Sequence, residues 1–177
     1  MQIPKWLIVL ARCCALISIP VLLLITPLHL FATPGFVHHE YARPQFLPAE
    51  RFSSQERTRL SDTIVRYIRG WDTVEELRAL RTDRGEIALN EREVQHLVDV
   101  RLVMNAFFLA YRAALALSLV GALGLWLGQR EMLAIAIRQG IWITGGLIAL
   151  VLASSFINFD VFFTRFHQMF FSEGTWL

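Results

Sequence analysis

Three long apolar runs constrain this chain more than any other feature. A hydrocarbon core of about 30 Å takes about 20 residues of helix to cross. The runs from about Trp6 to Ala32, Leu102 to Leu127 and Gly140 to Phe163 all reach that length. The 177 residues are 55% hydrophobic and 18% charged, with mean hydropathy +0.46. That is too apolar for an ordinary soluble domain and places the chain in the membrane class. The net charge is only +2, and no sustained basic stretch carries interleaved aromatics, so nucleic acid is not an expected partner.

The first run is longer than the apolar region of a signal peptide and lacks a small-x-small cleavage site, so it reads as a retained anchor kinked at Pro20. Leu10-Ala11-Arg12-Cys13 fails as a lipobox because arginine stands where a small residue belongs. Cys13 and Cys14 are adjacent and lie inside an apolar run, which implies inert thiols rather than a disulfide framework. Gly124 to Gly128 matches GxxxG and indicates close helix packing.

Short basic flanks set the orientation. Lys5 and Arg12 open the first span, and Arg130 and Arg138 lie between the second and third; the positive-inside rule puts both groups in the cytoplasm. The segment from Thr33 to Leu97 then lies outside, and the chain after Phe163 emerges on that same side. The expected organisation is transmembrane helix 6–32, extracytoplasmic segment 33–97, transmembrane helix 98–127, cytoplasmic loop 128–139, transmembrane helix 140–163 and extracytoplasmic tail 164–177. The fold class is all-α and polytopic, with a small α or α+β cap.

Within the cap, Pro27, Pro34, Pro44 and Pro48 indicate an extended entry. Ser53-Ser54-Gln55-Glu56 offers a capping box, Leu60, Ile64 and Ile68 follow at helical spacing, and Gly70 is a stop. Asp72 with Glu75 marks a second start. Leu77 to Leu89 alternates around Asp83-Arg84-Gly85 as a short β-hairpin. Asn90 with Glu93 caps a helix that continues unbroken into the second span.

This topology brings two histidines to one membrane face. His96 lies just before the second span, and His167 lies just after the third. Histidine's unperturbed pKa of about 6.5 suits proton transfer near neutrality. The plainer readings are an interfacial residue for His96 and an aromatic belt around His167, within Phe162 to Phe171. Asp99 and Asp160 lie near the outer ends of the spans, where ionisable groups need partners. Asp99 is placed to orient His96 or to pair with Arg101; Asp160 is placed to pair with Arg165 or Arg112. Arg112, well inside the second span, is expected to face the bundle interior in an ion pair. His38-His39-Glu40 or the two histidines with carboxylates could ligate zinc, but no three-ligand constellation is readable. Ser53, Ser54 and Ser172 lack the surroundings of a nucleophile elbow. No cofactor motif is present.

Glu93, His96, Asp99 and Val100 entering the second span, with Phe166, His167, Phe170, Phe171 and Trp176 after the third, resemble the bacterial lipoprotein intramolecular transacylases. The likeness covers essentially the whole layout. It implies an acyl shift on a lipoprotein's N-terminal diacylglyceryl-cysteine, from the sn-2 glyceryl oxygen to the α-amine, giving a lyso-form lipoprotein. The family's two essential histidines map to His96 and His167, with Glu93, Asp99, Arg101, Asp160 and Arg165 as supporting candidates. Arg101 or Arg165 would stabilise the oxyanion. The implied partners are the lipoprotein substrate and membrane lipid, with the site on the extracytoplasmic face of the bacterial cytoplasmic membrane and no metal or cofactor. Family members continue past the tryptophan into a fourth span, so a sequence stopping at Leu177 is expected either to be a piece or to dispense with that helix. The competing class is a non-enzymatic membrane sensor or assembly protein with a ligand-binding cap; a metal-dependent hydrolase is a third reading.

Overall fold

The computed structural model describes residues 4–47 and 52–171; Pro48, Ser172 and Trp176 lie outside them. Seven helices and no strand occur among the described residues: α1 Lys5–Phe31, α2 Pro34–Tyr41, α3 Ser54–Ile68, α4 Val74–Arg78, α5 Glu91–Gly128, α6 Arg130–Ile157 and α7 Phe159–Phe170. α1, α5 and α6 are long and apolar enough to cross a membrane. The chain forms two compact units, one of residues 1–27 with 107–164 and one of residues 28–106 with 165–177.

In the first unit, helices meet through small side chains. Ala11 and Ala15 of α1 are buried with Leu125 and Ala136, and Ile8, Ile19, Met132 and Leu133 pack around them. A Cβ at Gly121 would lie 2.8 Å from the Ala11 carbonyl oxygen and 2.9 Å from the Ala15 nitrogen; one at Gly124 would lie 2.8 Å from the Ala11 Cβ. Close packing therefore runs through Gly124, the first glycine of the GxxxG read from sequence, and Gly121, about one turn before it. α1 holds both Pro20 and Pro27 and stays continuous. Each proline leaves the carbonyl four residues back without its donor. Next to those positions the Ser18 and Thr26 hydroxyls donate to the carbonyls of Ala15 and Leu22, at 3.3 and 2.7 Å, so both hydroxyls are satisfied within the helix.

The stretch 128–139, read as a loop, is helix from Arg130 onward; Gln129 alone separates α5 from α6. Its arginines do not break the helix, because Met132 to Ile137 are apolar and helix-compatible. Arg130 lies 4.5 Å from the Trp126 ring, and the Arg12 guanidinium donates to Gln139 Oε1 at 3.1 Å. The run read as one span over 140–163 is divided at Asn158. That residue ends α6 in extended geometry, and its side chain accepts from the Val161 amide at 3.0 Å, so it also caps α7. Arg112 is exposed rather than interior: the inward face of α5 carries Ala114, Gly121 and Leu125, which leave no room for a guanidinium.

In the second unit, Ser53 caps α3 by accepting from the Glu56 amide at 3.1 Å. The Glu56 carboxylate instead reaches Asp83, accepting from its amide at 2.7 Å. Gly70, at φ 80°, ends that helix as expected. α4 starts one residue later than expected: Thr73 and Glu76 form the capping box, while Asp72 pairs with Arg66 at 2.8 Å. Asp72 holds the Arg66 guanidinium still further above its already high pKa. The stretch 77–89 turns around Asp83 to Gly85, but Arg81 and Ile87 form an isolated bridge and no strands develop, so the cap is helical.

Candidate active site

The start of α5 is fixed from three sides. Asn90 and Glu93 close the expected reciprocal box, at 2.7 and 2.9 Å. The Arg78 guanidinium donates to Glu91 at 2.7 Å, and Val94 is fully buried. With the helix start pinned, the rotational position of His96 is set. Its Nδ1 is sealed from solvent and has no hydrogen-bond partner among the described residues.

α7 brings the second histidine. Its polar positions Asp160, Thr164, His167 and Gln168 recur at helical spacing and separate from Phe159, Phe163, Phe166 and Phe170. The helix closes on itself past His167, whose carbonyl accepts from the Phe171 amide at 2.8 Å. One helical turn apart, the His167 and Phe171 rings pack with centroids 5.7 Å apart. His96 packs on that same Phe171 ring at 5.3 Å. Phe166 meets His167 edge-on at 5.7 Å and Phe170 at 5.1 Å. Two imidazoles 71 positions apart in sequence therefore share one phenyl neighbour.

The supporting candidates divide. Glu93 is engaged in the helix cap. Asp99 accepts a long 3.5 Å hydrogen bond from Gln95, one turn back, and not from His96. Arg101 stands five positions on, about 140° around the helix from His96; it donates to the Asp72 carbonyl at 3.0 Å and lies 4.7 Å from the Tyr67 ring. It is not beside the histidine pair. Asp160 and Arg165 are both exposed on α7 and form no ion pair among the described residues. Asp160 is in the first turn of α7, where a negative charge suits the helix dipole. His38 binds both carboxylate oxygens of Asp62 at 2.9 and 2.8 Å, and Glu40 takes Arg43. Among the described residues no group of three His, Cys, Asp or Glu is arranged to hold a metal ion. Sequence reasoning quoted Phe171 but gave it no part; its i,i+4 spacing from His167 was the available signal.

These features define an all-helical membrane protein with two histidines gathered at the ends of apolar helices. A family model described as "lipoprotein intramolecular transacylase Lit" matches residues 11–177. The chain belongs to that family. An uncharacterized protein of Aquifex aeolicus (strain VF5) is 28% identical over 144 residues, which is 80% of this chain. The match spans 63% of that relative's length. No solved structure matches.

Proposed function

We propose that this protein moves an acyl chain within an N-terminal diacylglyceryl-cysteine, from the sn-2 glyceryl oxygen to the cysteine α-amine, leaving a lyso-form lipoprotein. The observation that carries the reading is the convergence of His96 and His167 on the Phe171 ring. Membership of the transacylase family supports the reaction class.

The substrate brings both its nucleophile and its ester, so orientation supplies much of the barrier reduction. The amine nitrogen, having lost a proton, attacks the ester carbonyl carbon. The tetrahedral intermediate then expels the glyceryl oxygen, which takes a proton as the C–O bond breaks. The net change is one acyl group and one proton moved in opposite directions. One imidazole accepts the amine proton and the other delivers a proton to the glyceryl oxygen. In this reading His96 is the base and His167 the acid, and the reversed order uses the same geometry. Glu93 acts by holding the start of α5. Asp99 and Arg165 act at longer range, and Asp160 helps fix α7. The site opens on the extracytoplasmic face, and the diacylglyceryl chains enter from the outer leaflet beside the exposed apolar side chains of α7.

The test is mass spectrometry of lipoprotein N-terminal peptides from cells that make only diacylated lipoproteins. Expression of the chain should produce an N-acylated, monoacylglyceryl cysteine. His96→Ala and His167→Ala should each abolish it. Product formation that survives either substitution would remove the histidine mechanism. Unchanged diacylglyceryl peptide from stably inserted protein would favour a non-enzymatic membrane module.

A further inference from the structure

On the side of α5 opposite His96 lies a second opening, wholly within the cap-bearing unit. It is a cavity of about 430 Å³ walled by Tyr67, Trp71, Thr73, Arg101, Leu102 and Asn105. Its charge is unbalanced. Asp72, the acid in its wall, is already gripped by the Arg66 guanidinium through three hydrogen bonds. Arg101 gives one hydrogen bond to the Asp72 backbone carbonyl and has no carboxylate partner among the described residues. The Arg69 guanidinium lies 5.3 Å from the Trp71 ring of the same wall. A half-buried guanidinium with a neutral partner calls for an anion, and phosphate oxygens accept its remaining N–H groups in fork geometry.

The position along the chain says where that anion comes from. Arg101 is the last charged residue before a largely apolar run whose only charge is Arg112. Leu102 and Trp71, at the mouth, are 64% and 55% exposed. A cation and an exposed tryptophan lining one cavity, at the point where a helix turns apolar, form the arrangement of the headgroup layer. We infer that this cavity binds the phosphodiester headgroup of an anionic phospholipid, with Arg101 as its principal contact. This site is separate from the histidine pair, and the inference does not rest on the transacylase reading.

The test uses the delipidated full chain in neutral detergent micelles, with Trp6, Trp126, Trp142 and Trp176 replaced by phenylalanine so that emission reports Trp71 alone. Phosphatidylglycerol should shift that emission saturably, and Arg101→Gln should weaken the lipid's apparent affinity about tenfold or more. Arg84→Gln, an exposed charge at the cap's turn, should leave it unchanged. Inorganic phosphate at equal concentration should give no saturable shift; if it matched the lipid, the lipid assignment would be overturned. Equal binding of phosphatidylcholine, or no saturable response to any of the three, would also overturn it. Arg101→Gln also removes the bond to Asp72, so Asn105→Leu provides a second variant that narrows the cavity and loses no side-chain hydrogen bond among the described residues. It should weaken phosphatidylglycerol to a similar degree, and wild-type binding by it would sink the proposal.

Discussion

A buried nitrogen without a partner costs a protein about 1–3 kcal/mol, and His96 Nδ1 has none among the described residues. Such a group calls for an explanation, and the proton transfer proposed above would supply one. The consequence separates activity from stability. His96→Leu should abolish the acyl shift yet leave the melting temperature in detergent unchanged or a few degrees higher, because an unsatisfied polar atom is removed; a large fall in melting temperature would make His96 structural. Phe171 holds both imidazoles by ring contacts of a kind worth about 0.5–1.5 kcal/mol each. Phe171→Ala should therefore lower turnover by about tenfold, while Phe171→Tyr keeps most of it. Equal loss in both variants would show that the shared ring is not what matters. The histidine pairing was legible from topology, because spans and flanking charges decide which ends share a side. Arg101 was misread as a neighbour of that site: proximity along the chain hid the 140° turn that carries it to the other face.

Caps and close approaches do the corresponding work among the helices. Glu93 belongs to a capping box, which glutamine also serves. Glu93→Gln should retain activity, whereas Asn90→Ala should cost about 1 kcal/mol of stability; loss of turnover in a folded Glu93→Gln protein would instead assign the carboxylate a chemical part. Gly121→Val should destabilise the apolar unit by about 1–3 kcal/mol, because the atoms in its way are main chain. Gly145→Ala, in open space on α6, should be neutral or slightly stabilising; unfolding in graded denaturing detergent compares the two. Capping signals at Ser53 and Asn90 could be read directly because they are local. The break at Asn158 could not, because hydropathy continues across it into Phe159, Val161 and Phe163. The 128–139 stretch misled in the opposite way: Arg130 and Arg138 carry topological charge without ending a helix.

For the whole molecule, the proposed sidedness rests on the spans and their flanking charges and is open to direct labelling. In a background with Cys13 and Cys14 replaced by alanine, a cysteine at Arg84 should react with an impermeant maleimide on intact cells. One at Gln129 should react only after permeabilisation, and the reverse pattern would put the histidines on the cytoplasmic side. The close contacts between helices also bear on how this sequence can drift. Around Gly140 the obstructing atoms are all from the Ile19 side chain, the nearest at 2.7 Å. A larger residue there can be offset by a smaller one at 19, so the two positions are free to trade volume and should co-vary among relatives. Gly121 has no such partner. The oxygen of residue 11 and the nitrogen of residue 15 are present whatever side chains those positions carry, so lineages that keep this packing should hold glycine at 121 while its surroundings change.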